Sequence, residues 1–173
     1  MQRKHEPEVW KGVLAGVAGG LVASWSMNQV FAIWNKYKKS SAEPEQSSQK
    51  GVNTDPATLQ LAQKLSQEFL HHRIPDRYVR QAETAVHYGF GTLSGGVYGA
   101  LAEYVPQAKA AAGTAFGAAL FITADEIAVP LMGLSGKPNE VPKVSHVLGL
   151  TAHIVYGITT ELVRKGTRRL LAA

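Results

Sequence analysis

The chain has no cysteine, which excludes a disulfide scaffold, thiolate metal sites, iron–sulfur clusters and a cysteine nucleophile. It is also short of charge. Asp, Glu, Lys and Arg make up 18% of the 173 residues, where soluble domains carry about a quarter. No serine stands in a nucleophile elbow, no glycine-rich loop follows a strand, and no His-Glu-x-x-His motif occurs. Catalytic triads, nucleotide cradles and zincin-type sites therefore find no support. The net charge of +5 comes from residues at segment edges rather than on one stripe, so nucleic acid is not an expected partner.

A mean hydropathy of −0.08 and 45% apolar residues read, as averages, like a soluble domain. The distribution says otherwise. Gly12–Trp34 runs 23 residues without a charge, with Trp10 and Lys11 at one border and Lys36, Tyr37, Lys38 and Lys39 beyond the other. About 20 such residues cross roughly 30 Å of hydrocarbon, and aromatic and basic residues favour its borders. A cleaved signal peptide is the competing reading. Glu6 and Glu8 in its basic region and the lack of a small-x-small site argue against it.

Three weaker segments follow. Thr84–Ala102 holds His87 within 19 residues; Ala110–Leu134 is broken at Asp125-Glu126; Val144–Thr160 carries only His146 and His153. The spacing predicts an all-α, helical integral membrane protein with four transmembrane helices, at about 10–35, 82–105, 108–133 and 143–164. Residues 36–56 read as a polar linker. Leu59, Ala62, Leu65 and Phe69 predict an amphipathic connecting helix at 57–73, with Asp55 as N-cap and Pro56 at its first position. The lipid bilayer is then the principal partner. Basic residues do not orient the chain, with eight on one side and ten on the other.

Glycine, at 17 residues, is abundant and ordered. Gly12, Gly16 and Gly20 form one i, i+4 ladder, Gly91, Gly95 and Gly99 a second, and Gly113 with Gly117 a third. Such ladders let helix backbones approach closely in lipid. They serve either internal packing or contact with a second copy or a larger membrane complex.

Ionisable groups inside these segments are the candidate site residues. Depth counting from the flanking basic residues places His87, Asp125, Glu126, His146 and His153 toward the end that carries Arg77 and Arg80, here side A. Glu103 and Glu161 fall toward the opposite end, side B, with Pro106. Two imidazoles and a carboxylate would ligate a metal ion, two imidazoles would hold a haem, and the same groups would relay protons. A polar network holding helices in register is the fourth alternative. The residues alone favour a non-enzymatic membrane protein, a packing or accessory component, over these site functions.

His87, Tyr98, Glu103-x-x-Pro106, Pro130-Leu-Met-Gly-Leu134, His153, and Glu161 followed by Arg164 carry a resemblance. Residues 82–169 resemble the YagU-type family of bacterial inner-membrane proteins, itself of unknown function. The resemblance implies a helical, multi-pass inner-membrane protein with polar residues at 87, 103, 153 and 161. Asp125 departs from it, since that pattern has His there.

Overall fold

Helix α1 (Val9–Ser40) carries glycine on one stripe, and that stripe sets its neighbour. Without Cβ atoms at Gly12, Gly16 and Gly20, its backbone rests directly on that of α3 (Val79–Tyr104) at Gly99, Gly95 and Gly91. The two run antiparallel. A Cβ on Gly12 would stand 2.6 Å from the Gly99 carbonyl oxygen, and Cβ atoms on Gly16 or Gly95 would overlap the facing carbonyl. On another side of α1, Gly19 meets Thr160 of α6 (Lys143–Leu170), where a Cβ would lie 2.6 Å from the Thr160 carbonyl oxygen.

The computed structural model describes residues 8–40, 56–135 and 141–172. Among these there is no strand. Helix α2 (Ala57–Leu70) and a single 3-10 turn, Asp76–Tyr78, lead into α3. After α3 the chain turns through Pro106–Gly113 into α4 (Thr114–Leu120), a π-helical stretch Phe121–Ala128, and the short α5 (Val129–Leu131). This segment packs on α6 through Gly113, Gly117 and Gly157. The helices therefore stand in the order α3, α1, α6, α4, with α2 laid against α3.

Small residues fill much of the interior beside Tyr98, Tyr156 and Leu134, and many large apolar side chains face outward. Ala15, Ala23, Ala102, Ala152, Ser24 and Thr160 are buried, while Leu21, Trp25, Leu93, Val97, Ile122 and Leu162 are exposed. One helical segment among the described residues, Gln107–Leu131, has both the length and the hydropathy to cross a membrane, with mean hydropathy 1.4. Helices α1, α3 and α6 have ample length at 32, 26 and 28 residues. They fall short in hydropathy because so many of their residues are glycine, serine, threonine or histidine.

Several expected boundaries shift. Residues 36–40, assigned by composition to the linker, continue α1; Lys36 and Lys38 suit the negative end of its dipole. The remainder of that linker, and Asp55 as N-cap, lie outside the described residues. Pro56 is itself the N-cap of α2, without a side-chain bond. That helix stops at Leu70 rather than near 73, because His71 turns left-handed at φ 54° and the His72 ring donates to the Leu70 carbonyl at 2.5 Å. The helix expected at 108–133 is interrupted at its start. Ala111, Ala112 and Gly113 are all left-handed, so regular helix begins only at Thr114. At the other end of the bundle α6 runs on to Leu170, past the expected 164.

The contact geometry separates one glycine from another. Gly95→Ala must push α1 and α3 apart and is expected to destabilise by about 1–3 kcal/mol. Gly89 has open space around its missing side chain, so Gly89→Ala is expected to be neutral or stabilising by up to about 1 kcal/mol. Thermal unfolding of the two variants in detergent checks the contrast.

Candidate functional site

At side A the bundle is splayed. Helix α3 packs on α1 and α2, and the π-helical stretch packs on α6, but no packed seam joins α3 to that stretch. Between them lies a cavity of about 980 Å³, a size suited to a small-molecule ligand. Helix α1 contributes Met27, Asn28 and Phe31 to its wall, and α3 contributes Arg80, Glu83 and His87.

The remaining wall holds two carboxylate–imidazole pairs. The π-helical stretch places the consecutive residues Asp125 and Glu126 so that both meet α6. Glu126 Oε1 accepts from His146 Nδ1 at 2.5 Å. Asp125 Oδ2 lies 3.7 Å from His153 Nδ1, which is closer to the Gly149 carbonyl at 2.9 Å. His153 is buried, stacked obliquely on Phe121 at 5.6 Å, whereas the Asp125 side chain is 44% exposed. His87 reaches across to α1, donating from Nε2 to the Ser24 carbonyl at 3.3 Å. It also lies within electrostatic reach of Asp125.

These groups differ from a metal centre in their arrangement. Among the described residues no three His, Asp or Glu side chains converge as a ligand set. They stand as two pairs and a nearby imidazole, an arrangement suited to holding a cation and exchanging protons.

Side B is built in the opposite way. Glu161 is fully buried and receives Tyr98 Oη at 2.8 Å and a two-pronged contact from Arg164, Nε at 2.6 Å and Nη2 at 2.9 Å. Arg168 donates to Glu103 at 2.9 Å and to Glu8 at 3.0 Å. Tyr98 stacks on Phe116 with ring centroids 4.3 Å apart. These contacts tie α1, α3, α4 and α6 together at one end.

The structure thus brings His87, Asp125, Glu126, His146 and His153 to one cavity and puts Glu103 and Glu161 at the far end. It places Gly12, Gly16 and Gly20 against Gly99, Gly95 and Gly91, and sets Gly113 and Gly117 against Gly157 and His153. Sequence reasoning missed Ser24, Asn28 and Arg168. Ser24 follows Gly20 at the ladder's own spacing, and Arg168 follows Arg164 by four, so each carried a weak periodic signal.

The fold and site define a helical bundle welded at one end and open at the other onto paired carboxylates and imidazoles. Residues 42–162 match the family described as "Protein of unknown function (DUF1440)", and the chain belongs to that family. This agrees with the YagU-type resemblance carried by its second half. No curated protein and no solved structure matches the chain.

The two ends respond differently to substitution. Glu161→Gln strands Arg164 in a buried position and is expected to destabilise by about 3–5 kcal/mol. Asp125→Asn loosens only a long, half-exposed pair and is expected to lose less than about 1 kcal/mol. Chemical unfolding of both variants tests this. A pH dependence also follows at side B. The Lys11 hydrogen bond, with help from Arg168, holds Glu8 below its ordinary 4.5. A depressed carboxylate stabilises above its unfolded value and loses that contribution as pH falls through its folded one. Glu8→Gln is therefore expected to flatten the acid limb of the stability curve.

Proposed function

We propose that the chain is a non-enzymatic, multi-pass membrane protein whose work is reversible, proton-linked binding of a ligand in the side A cavity. Helix α1, helix α3, the segment 114–131 and helix α6 are its four spans, and α2 lies along the surface at side A. Exposed large apolar side chains over small and polar buried ones support the membrane placement. Lipid gives helices no hydrophobic reason to associate, so close backbone packing and internal polar contacts must hold them. The resemblance supports the bacterial inner membrane as the location.

The observation that carries the ligand reading is the pair of carboxylate–imidazole couples on one wall of an open cavity. A purely structural network would be sealed, as the Glu161 cluster is. The half-exposed Asp125 is not. An accessory packing role draws on uncommitted glycine faces, yet all three ladders are engaged within the chain. That favours a binding role over an accessory one.

The absence of native cysteine makes the topology directly testable. In sealed vesicles, Ser145→Cys at side A and Gln107→Cys at side B are expected to react with a membrane-impermeant maleimide from opposite faces. Labelling of both from the same face overturns the four-span reading. For the site, the double variant Asp125→Asn/Glu126→Gln is expected to exchange fewer protons than the parent between about pH 5 and 8. Unchanged proton exchange in a folded double variant overturns the proton-linked role.

A further inference from the structure

The cavity is two-sided in its chemistry. One wall holds Asp125 and Glu126; much of the rest is apolar, with Phe31, Val86, Phe90, Leu120 and Val129. Charge inside it is predominantly acidic. Glu83, Asp125 and Glu126 line it against the single guanidinium of Arg80, with the imidazoles between. Aromatic rings of Phe121 and Tyr156 complete the polar end, and ring faces attract cations that have shed water.

Access is equally specific. Helix α2 covers side A: Pro56, Ala57, Thr58 and Leu61 line the cavity, and Lys64 Nζ reaches the Met132 carbonyl at 2.5 Å. An ammonium there also satisfies a carbonyl left over at the end of α5. Helix α2 thus bridges from α3, on which it packs, to the turn after α5. Below it, no packed seam joins α3 to the π-helical stretch above the Tyr98–Phe116 stack. Phe90 of α3 both lines the cavity and is exposed, which puts it at the cavity's edge.

We infer that the ligand is an amphipathic cation, an apolar body bearing an ammonium-like head, which enters past Phe90 at the cavity's edge. This rests on the ligand-binding reading above and gives that ligand its chemical class. The head sits against Asp125 and Glu126, where charge complementarity selects it. The body lies along the apolar wall. A water-soluble cation would lack partners for most of that wall, and an amphipathic anion would meet like charge at the head.

Three probes separate these contributions, used on the full-length protein in lipid nanodiscs. Tetraphenylphosphonium is a lipophilic cation, tetraphenylborate its anion of matching shape, and tetramethylammonium a head without a body. Saturable binding of labelled tetraphenylphosphonium is expected, competed weakly or not at all by the other two. Asp125→Asn/Glu126→Gln is expected to weaken it at least tenfold. Phe90→Asp, which puts a charge at the cavity's edge, is expected to slow its association while Asp125 and Glu126 remain intact. Equal binding of tetraphenylborate overturns the cationic head, and equal binding of tetramethylammonium overturns the apolar body. If no tetraphenylphosphonium binds while the carboxylate-dependent proton exchange persists, this inference falls and the proton-linked site stands. If that exchange is also missing, both fall together.

Discussion

The three main helix pairs in this bundle, α1–α3, α1–α6 and α4–α6, are joined where one backbone touches another, and much of the architecture follows from that contact. Glycines 12, 16 and 20 remove the spacer that side chains normally provide, so α1 lies on α3 at the distance of main-chain atoms. Gly19 repeats this toward α6, and Gly113, Gly117 and Gly157 repeat it between α6 and α4. Helices this close leave no room between them for leucine or phenylalanine. Many large apolar side chains are displaced to the outer surface, and the seams themselves hold small residues such as Ala15, Ala23, Ser24 and Thr160. Ser24 and Thr160 bond back to their own helices, and Tyr156 threads its hydroxyl to the Gly91 carbonyl at 2.5 Å.

The two polar clusters then differ in what surrounds them. At side B, Glu161 has its acceptor capacity filled by Tyr98 and Arg164, and the whole set is excluded from solvent. A saturated network of this kind holds helices in one register and has nothing left to offer a ligand. At side A each carboxylate has an imidazole partner on α6, and Asp125 keeps an open flank. The π-helical stretch before Pro130 is central to that arrangement. It occurs where proline removes an amide from the helical ladder, and stretches of this type recur at functional positions.

Much of this was legible in the sequence, but unevenly. The all-α class followed from uncharged runs and turn residues, and the family resemblance followed from His87, the Pro130–Leu134 string, His153 and Glu161. The i, i+4 spacing of glycine could be read, whereas which ladder faced which could not, since periodicity names a face and never its partner. Depth counting grouped the ionisable residues because rise per residue is fixed. It was blind to the pairing of Glu126 with His146, which depends on a π-helical register that local propensity does not encode. Three consecutive left-handed residues at 111–113 were hidden for a similar reason: two are alanines, the strongest helix formers. The lower hydropathy of α1, α3 and α6 reflects the same economy that shapes the seams, because glycine and serine pack well and transfer poorly.

Welding at one end and splaying at the other gives the bundle the mechanics of a pair of tongs. Helix α3 is held to α1 from Gly99 as far as His87, so the arm left free is its opening stretch from Val79 to His87. That stretch extends roughly 12 Å. A rotation of about 5° over that length would move the mouth by roughly 1 Å. The jaws carry the chemistry, and the hinge carries none of it. Compliance is therefore concentrated at the mouth, where the Lys64–Met132 contact spans the gap.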